Sequence, residues 1–249
     1  MEQLKGTIKK CRFSANTLKI IAIVSMITDH VGFVFFPHEL IFRYIGRIAF
    51  PIYCFLLTEG FFHTRSIYRY LARMGLFAVL SEIPFNLGLY HVLIYRWNIN
   101  VFFTLFLGLL VMYLSDLVYQ KSGNQTFGMV FCLIGMMMAE RIGSDYGAMG
   151  ILVIYVFYLS YRGRNFGTAK SKFLTTLCMA LFETFLFVIE GPVEAYAIVS
   201  IIFILLYSGE KNGNIWKKLQ LERWNLFLKY FFYAVYPLHL IVLWIIYQI

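Results

Sequence analysis

The sequence predicts an all-α protein: a polytopic transmembrane bundle of about nine spans with its amino terminus in the cytoplasm. Three observations carry this expectation. Hydrophobic residues make up 60% of the 249 and charged residues 14%, against roughly 45–50% and about 25% in soluble domains. The apolar residues form continuous runs of about 20, long enough to cross a bilayer as helices, rather than alternating ten-residue strands. The basic residues, 22 against 13 acidic, divide very unequally between the turns.

The elements follow in order. Thr17–Phe36 comes after a basic start, Met1 to Asn16, and its apolar stretch is too long for a cleaved signal, so an uncleaved signal anchor is expected. Ile41–Phe62 is the second span, with Pro51 expected to kink it and Gly46 to let a neighbour approach closely. Tyr70–Tyr90 and Asn98–Tyr119 are the third and fourth. Phe127–Ile142 and Asp145–Tyr161 are short, and an eight-span count follows if they form one broken element around Gly143, Ser144 and Asp145. Lys172–Glu190, the short Pro192–Ser208 and Leu228–Gln248 complete the set. No internal repeat or soluble domain interrupts residues 1–249, which read as a single domain. With the amino terminus inside, only Arg43, Arg47, Arg96 and Arg141 of the 22 basic residues fall on the outer side. That is the asymmetry of a membrane protein, and it accounts for the +9 net charge without a nucleic-acid partner.

So few polar groups could not cover a water-soluble sphere, which excludes a soluble enzyme, a disordered chain and a nucleic-acid-binding domain. The four cysteines include no CxxC pair, so neither a disulfide framework nor a metal centre is expected. Nucleotide, zinc-protease and nucleophile-elbow motifs are absent. Met136, Met137 and Met138 read as lipid or core packing.

Ionisable residues at membrane depth are costly and face the bundle interior or a water-filled cavity. Asp29 and His30 lie in the outer half of the first span, His30 roughly 9 Å below its outer end. They are either interhelical bonding partners or a histidine base oriented by neighbouring acids. Arg43 and Arg47 are four apart and share one helix face. Arg43 suits snorkelling to the interface, while Arg47 is deeper and suits pairing with Asp29 or a substrate anion. Glu59, near the inner end of the second span, is followed by His63, Arg65, Arg69 and Arg73. These are positive-inside anchors or a grip for the phosphates of a cytosolic donor. Glu82, Asn98, Asn100, Glu140, Asp145 and Tyr146 all fall toward the outer half, and His239 near the middle of the last span. Their shared side suggests a polar cavity open outward.

Several stretches together resemble the TraX family of membrane proteins, named for the F-pilin acetylase. They include LKIIAIVSMITDHVG (18–32), IGRIAFPIYCFLLTEGFFHTRS (45–66), SEIPFNLGL (81–89), NVFFTLFLGLL (100–110), DYGAMGILVIYVFYL (145–159), LLYSGEKN (205–212) and KYFFYAVYPLHLIVL (229–243). Order and spacing fit over nearly the whole chain. A looser similarity reaches the acyltransferase-3 group, where a histidine late in the first span is the presumed catalytic residue and His30 matches its place. Lys19 only approximates that group's usual upstream basic residue.

The resemblance implies an integral acyltransferase of the bacterial cytoplasmic membrane. It would pass acetyl from acetyl-CoA, as cosubstrate and without a metal, to an amine or a sugar hydroxyl; in the known member the acceptor is pilin. His30 would then be the base and Asp29 its orienting acid, with Arg47 or Asn100 on the oxyanion or the substrate. Arg43, Glu59, His63, Arg65, Arg69, Asp145, Tyr146 and His239 would serve donor or acceptor binding, and membrane lipid is the surrounding partner. A transporter or flippase would also show mid-membrane charge, though with paired repeats. A non-enzymatic pilus or envelope assembly factor would use Asp29 and His30 only for packing.

Overall fold

A computed structural model describes residues 13–162, 193–209 and 225–249. The expected span Lys172–Glu190 lies outside the described residues, as does most of the basic amino-terminal segment. All regular elements among the described residues are helical: α1 Ala15–Phe35, α2 Leu40–Gly46, α3 Ala49–His63, α4 Ile67–Phe85, α5 Val101–Ser122, α6 Thr126–Arg141, α7 Gly147–Arg162, α8 Ser200–Leu205 and α9 Asn225–Gln248. A π-helical turn, Asn86–Tyr90, follows α4, and a 3₁₀ turn, Glu194–Val199, precedes α8.

Four stretches are long and apolar enough to cross a membrane: Ala15–Phe35, Leu40–His63, Val101–Ser122 and Tyr230–Gln248. They correspond to the first, second, fourth and last expected spans. At about 1.5 Å per residue, 21 residues reach the roughly 30 Å of a hydrocarbon core. The third expected span folds as α4, 19 residues long, but Arg69, Arg73 and Glu82 lower its apolar character. The fifth and sixth form separate helices of 16 residues each, not one broken element. The described part of Pro192–Ser208 is the 3₁₀ turn and the short α8.

The second span departs from expectation in one respect. It does not kink at Pro51. It breaks three to four residues upstream, where Arg47 and Ile48 turn back on the α2 carbonyls of Arg43 and Ile45. Pro51 then sits in the first turn of α3, where its missing N–H has no helical partner to lose.

The chain divides into two compact units, Met1–Leu56 with Asn165–Phe232, and Leu57–Arg164 with Tyr233–Ile249. In the first, Ser14 caps α1, its Oγ accepting from the Thr17 N–H at 3.2 Å. α1 and α2 pack through two glycines: a Cβ on Gly32 would overlap Phe42, and one on Gly46 would overlap Asp29. The Ser25 hydroxyl donates to the Ile45 carbonyl across the same seam. Phe13 is clasped between residues 206 and 208: its N–H donates to the Leu206 carbonyl, and its carbonyl accepts from Ser208 N–H, both at 2.9 Å. Tyr44 of α2 stacks on Tyr196, with centroids 4.2 Å apart.

In the second unit the contacts fix helix direction. Gly75 of α4 meets Phe106, and Asn100 reaches back to the Ala78 carbonyl, so α4 and α5 are antiparallel. Val111 faces Gly135, and Ser115 donates to the Gly128 carbonyl, so α5 and α6 are also antiparallel. Gly108 receives Ile154 while Asp116 pairs with Arg162, so α7 runs parallel to α5. Leu109, Met112, Ile151, Ile154 and Phe157 fill the space between them. Tyr233 of α9 stacks on Phe77 at 5.0 Å, and Gly88 admits the backbone of Leu240.

Candidate functional site

Helix α1 carries Asp29 into the α1–α2 seam, and Gly46 leaves room for its carboxylate. Arg43, one turn before the end of α2, donates from Nη1 to Asp29 Oδ2 at 2.7 Å. Arg47, the residue that ends α2, holds its Nη2 4.0 Å from Asp29 Oδ1. The side chains of Asp29 and Arg47 are 15% and 12% exposed, that of Arg43 30%. One carboxylate therefore faces two guanidinium groups supplied by positions four apart. The closer of the two is Arg43, the residue expected to snorkel to the interface; the deeper Arg47, expected to pair with Asp29, is the more distant partner. His30 follows Asp29, half-buried, about 100° further round the helix.

The second unit has two polar ends. At one lie the α4–α5 and α6–α7 connections, where Glu82, Asn98, Asn100, Glu140, Asp145 and Tyr146 gather. Ile99 and Ser144 bridge their two connections, and the Asn98 amide donates to the Tyr90 hydroxyl at 3.2 Å and to Asp145 at 3.4 Å. Glu140 accepts from the Ala148 N–H at 2.7 Å, capping α7.

Asn100 is held within the fold. It is fully buried and caps α5: its Oδ1 accepts from the Phe102 N–H at 3.0 Å. Its Nδ2 donates to the Ala78 carbonyl at 2.8 Å and to Glu82 Oε2 at 2.6 Å. A primary amide has two N–H donors, and both are spent on helix α4. None is left to meet an oxyanion.

At the other end of this unit are Glu59, His63, Arg65 and Arg69. His63, exposed, points Nδ1 at the Glu59 carbonyl, 2.9 Å away, and its ring stands edge-on to Tyr161. Arg65 and Arg69 are exposed. Between α5 and α7, at the same end, Arg162 donates to both Asp116 and the Tyr158 hydroxyl and lies 3.7 Å over the ring of Tyr119. This nearly buried ion pair is absent from the sequence-derived candidates. The four-residue spacing of Tyr158 and Arg162 was the available signal.

His239 lies in α9, half-buried beside Tyr236. Its Nδ1 sits 2.9 Å from the Val235 carbonyl, to which it donates. No set of three or more His, Cys, Asp or Glu side chains is arranged to hold a metal among the described residues.

Long apolar helices, charge buried in their seams and glycine-mediated packing define a polytopic helical membrane protein. The chain belongs to the TraX family: the family model described as TraX protein matches residues 14–247. It is 26% identical over 258 residues to the probable fimbrial assembly protein FimC, serogroup H1, of Dichelobacter nodosus, covering 93% of this chain and 94% of that protein. An uncharacterised protein of Rickettsia prowazekii is 25% identical over 149 residues, covering 57% of this chain and 54% of that one. No solved structure matches the chain.

Proposed function

We propose that the protein is an acyltransferase of the bacterial cytoplasmic membrane that passes acetyl from acetyl-CoA to an amine or hydroxyl acceptor, with His30 as general base. The observation that carries this reading is the Asp29–Arg43–Arg47 cluster immediately beside His30. Charge maintained at membrane depth is functional by default, and here it borders the one side chain type that exchanges protons near neutral pH.

In this reading the span order has an inside amino terminus, and Arg65 and Arg69 lie on the cytoplasmic side. His30 takes the proton of the acceptor N–H or O–H as that atom attacks the thioester carbon. The carbonyl electron pair moves onto oxygen, and Arg47 supports the oxyanion. Collapse breaks the C–S bond, and the imidazolium returns the proton to the departing thiolate. Asp29 acts through the arginines: its charge fixes Arg43 and limits where Arg47 can stand.

The test is turnover with radiolabelled acetyl-CoA and candidate acceptors. General-base catalysis is worth roughly 10²–10⁴-fold, so His30→Ala should lose most acetyl transfer while remaining inserted and folded. Normal transfer by a folded His30→Ala protein rejects the assignment. The name of the Dichelobacter relative favours a second reading, a non-enzymatic factor for fimbrial assembly. In that case His30→Ala preserves partner capture and no acetyl transfer is found in either protein.

A further inference from the structure

We propose that the loop from His91 to Trp97 is an interfacial membrane anchor, seated in the headgroup layer at its end of the second unit, and not an aqueous connection. Leu93, Ile94 and Trp97 are 66%, 76% and 82% exposed. Three large apolar side chains standing this far out of one short loop would oppose folding in water.

The loop is not exposed for want of structure. It starts from the π-helical turn, whose Asn86 carbonyl accepts from the Val92 N–H at 3.4 Å and whose amide donates to the Leu93 carbonyl at 3.3 Å. His91 takes a left-handed φ of +58° and lies flat on Tyr247, centroids 3.7 Å apart. Tyr95 stacks on Tyr90 at 3.9 Å, and the far end is fastened by the bond from Ile99 N–H to the Gly143 carbonyl at 2.8 Å. A left-handed histidine and a π turn are strained features that packing must maintain. Here they fix a backbone whose apolar side chains all point away from the protein.

The composition names the partner. Tryptophan and tyrosine concentrate where bilayer meets water, and an adjacent arginine such as Arg96 reaches lipid phosphate from there. The surface is also continuous with lipid-facing protein: Val79, Leu80 and Ile83 on α4 are exposed along the helix that leads into the loop. A partner protein would have to cover the loop and leave that stripe bare.

Tryptophan fluorescence tests this in the full chain. Trp97 is one of 4 tryptophans; a W216F, W224F and W244F protein isolates it. The protein is reconstituted in phosphatidylethanolamine and phosphatidylglycerol vesicles brominated either near the carbonyls or near the chain ends. The expected result is blue-shifted emission, quenched more by shallow than by deep bromines and little by aqueous iodide. Quenching by iodide without a bromine effect places the loop in water and overturns the proposal. Protection from both means that another protein surface covers it, and overturns it equally. If the triple variant fails to fold, the difference between wild type and Trp97→Phe gives the same reading. Acetyl transfer does not enter the measurement, so its result stands whichever reading of activity holds.

Discussion

Asp29 is pinned by geometry that a single added methyl group would destroy. Because a Cβ on Gly46 falls on the Asp29 carboxylate, Gly46→Ala must push apart α1 and α2 or break the ion pair. Gly123 is the control: its φ is +68°, but nothing lies within 4 Å of an added Cβ, so Gly123→Ala costs about 1 kcal/mol of backbone strain. Thermal unfolding in detergent should show a clearly larger loss for Gly46→Ala than for Gly123→Ala. The two arginines should also separate. Arg43→Ala strips Asp29 of its 2.7 Å partner and should lower stability by about 2 kcal/mol, below the ~3–5 of a fully buried pair because Arg43 is itself part-exposed. Arg47→Ala should cost less stability and, on the proposed chemistry, more turnover. The reverse ranking would show Arg47 to be the structural partner. A partnership of Arg47 with Asp29 was legible in the sequence, since Arg47 is the deeper of the two arginines. Which arginine came closer was not, because that depends on where the second span breaks.

At the scale of elements, caps and breaks decide which polar groups stay available. Asn100 is polar, outward in the sequence and within the family-like stretch, and all of that was readable. Its commitment to Ala78 and Glu82 was not, since the partners come from another helix across an intervening loop. Asn100→Ala removes an N-cap worth about 1 kcal/mol and leaves Glu82 without its 2.6 Å donor. Melting temperature should therefore fall while acetyl transfer per folded molecule is kept. A well-folded Asn100→Ala protein with lost turnover would return Asn100 to the chemistry. The Asp116–Arg162 pair was missed for a related reason: charges near span ends look like anchors until the parallel packing of α5 and α7 brings them together. The break at Arg47 shows the converse: the kink expected at Pro51 is absent, and the proline takes its least disruptive place in the first turn of α3.

For the molecule as a whole, composition alone establishes a helical membrane protein, and the long apolar stretches of α1, α2–α3, α5 and α9 follow directly from run length. The shorter helices are harder to read, because 16 residues satisfy a buried helix as well as a span. The proposed inside amino terminus makes a definite forecast. An alkaline phosphatase reporter, active only outside the cytoplasm, should be active when fused after Ile94 and silent when fused after Gly123. The opposite pattern would invert the bundle and put Arg65 and Arg69 on the wrong face for a cytosolic donor.

The clasp of Phe13 by Leu206 and Ser208 has a consequence in time. The first helix leaves the ribosome well before Leu206 and Ser208 are made, so the strand-like contact that secures its leading edge waits for roughly 190 further residues. At about 5–20 residues per second this is a delay of roughly 10–40 s. For that interval the nascent chain holds its opening segment by contacts such as the α1–α2 seam, so a glycine change there would be felt first as degradation during biogenesis.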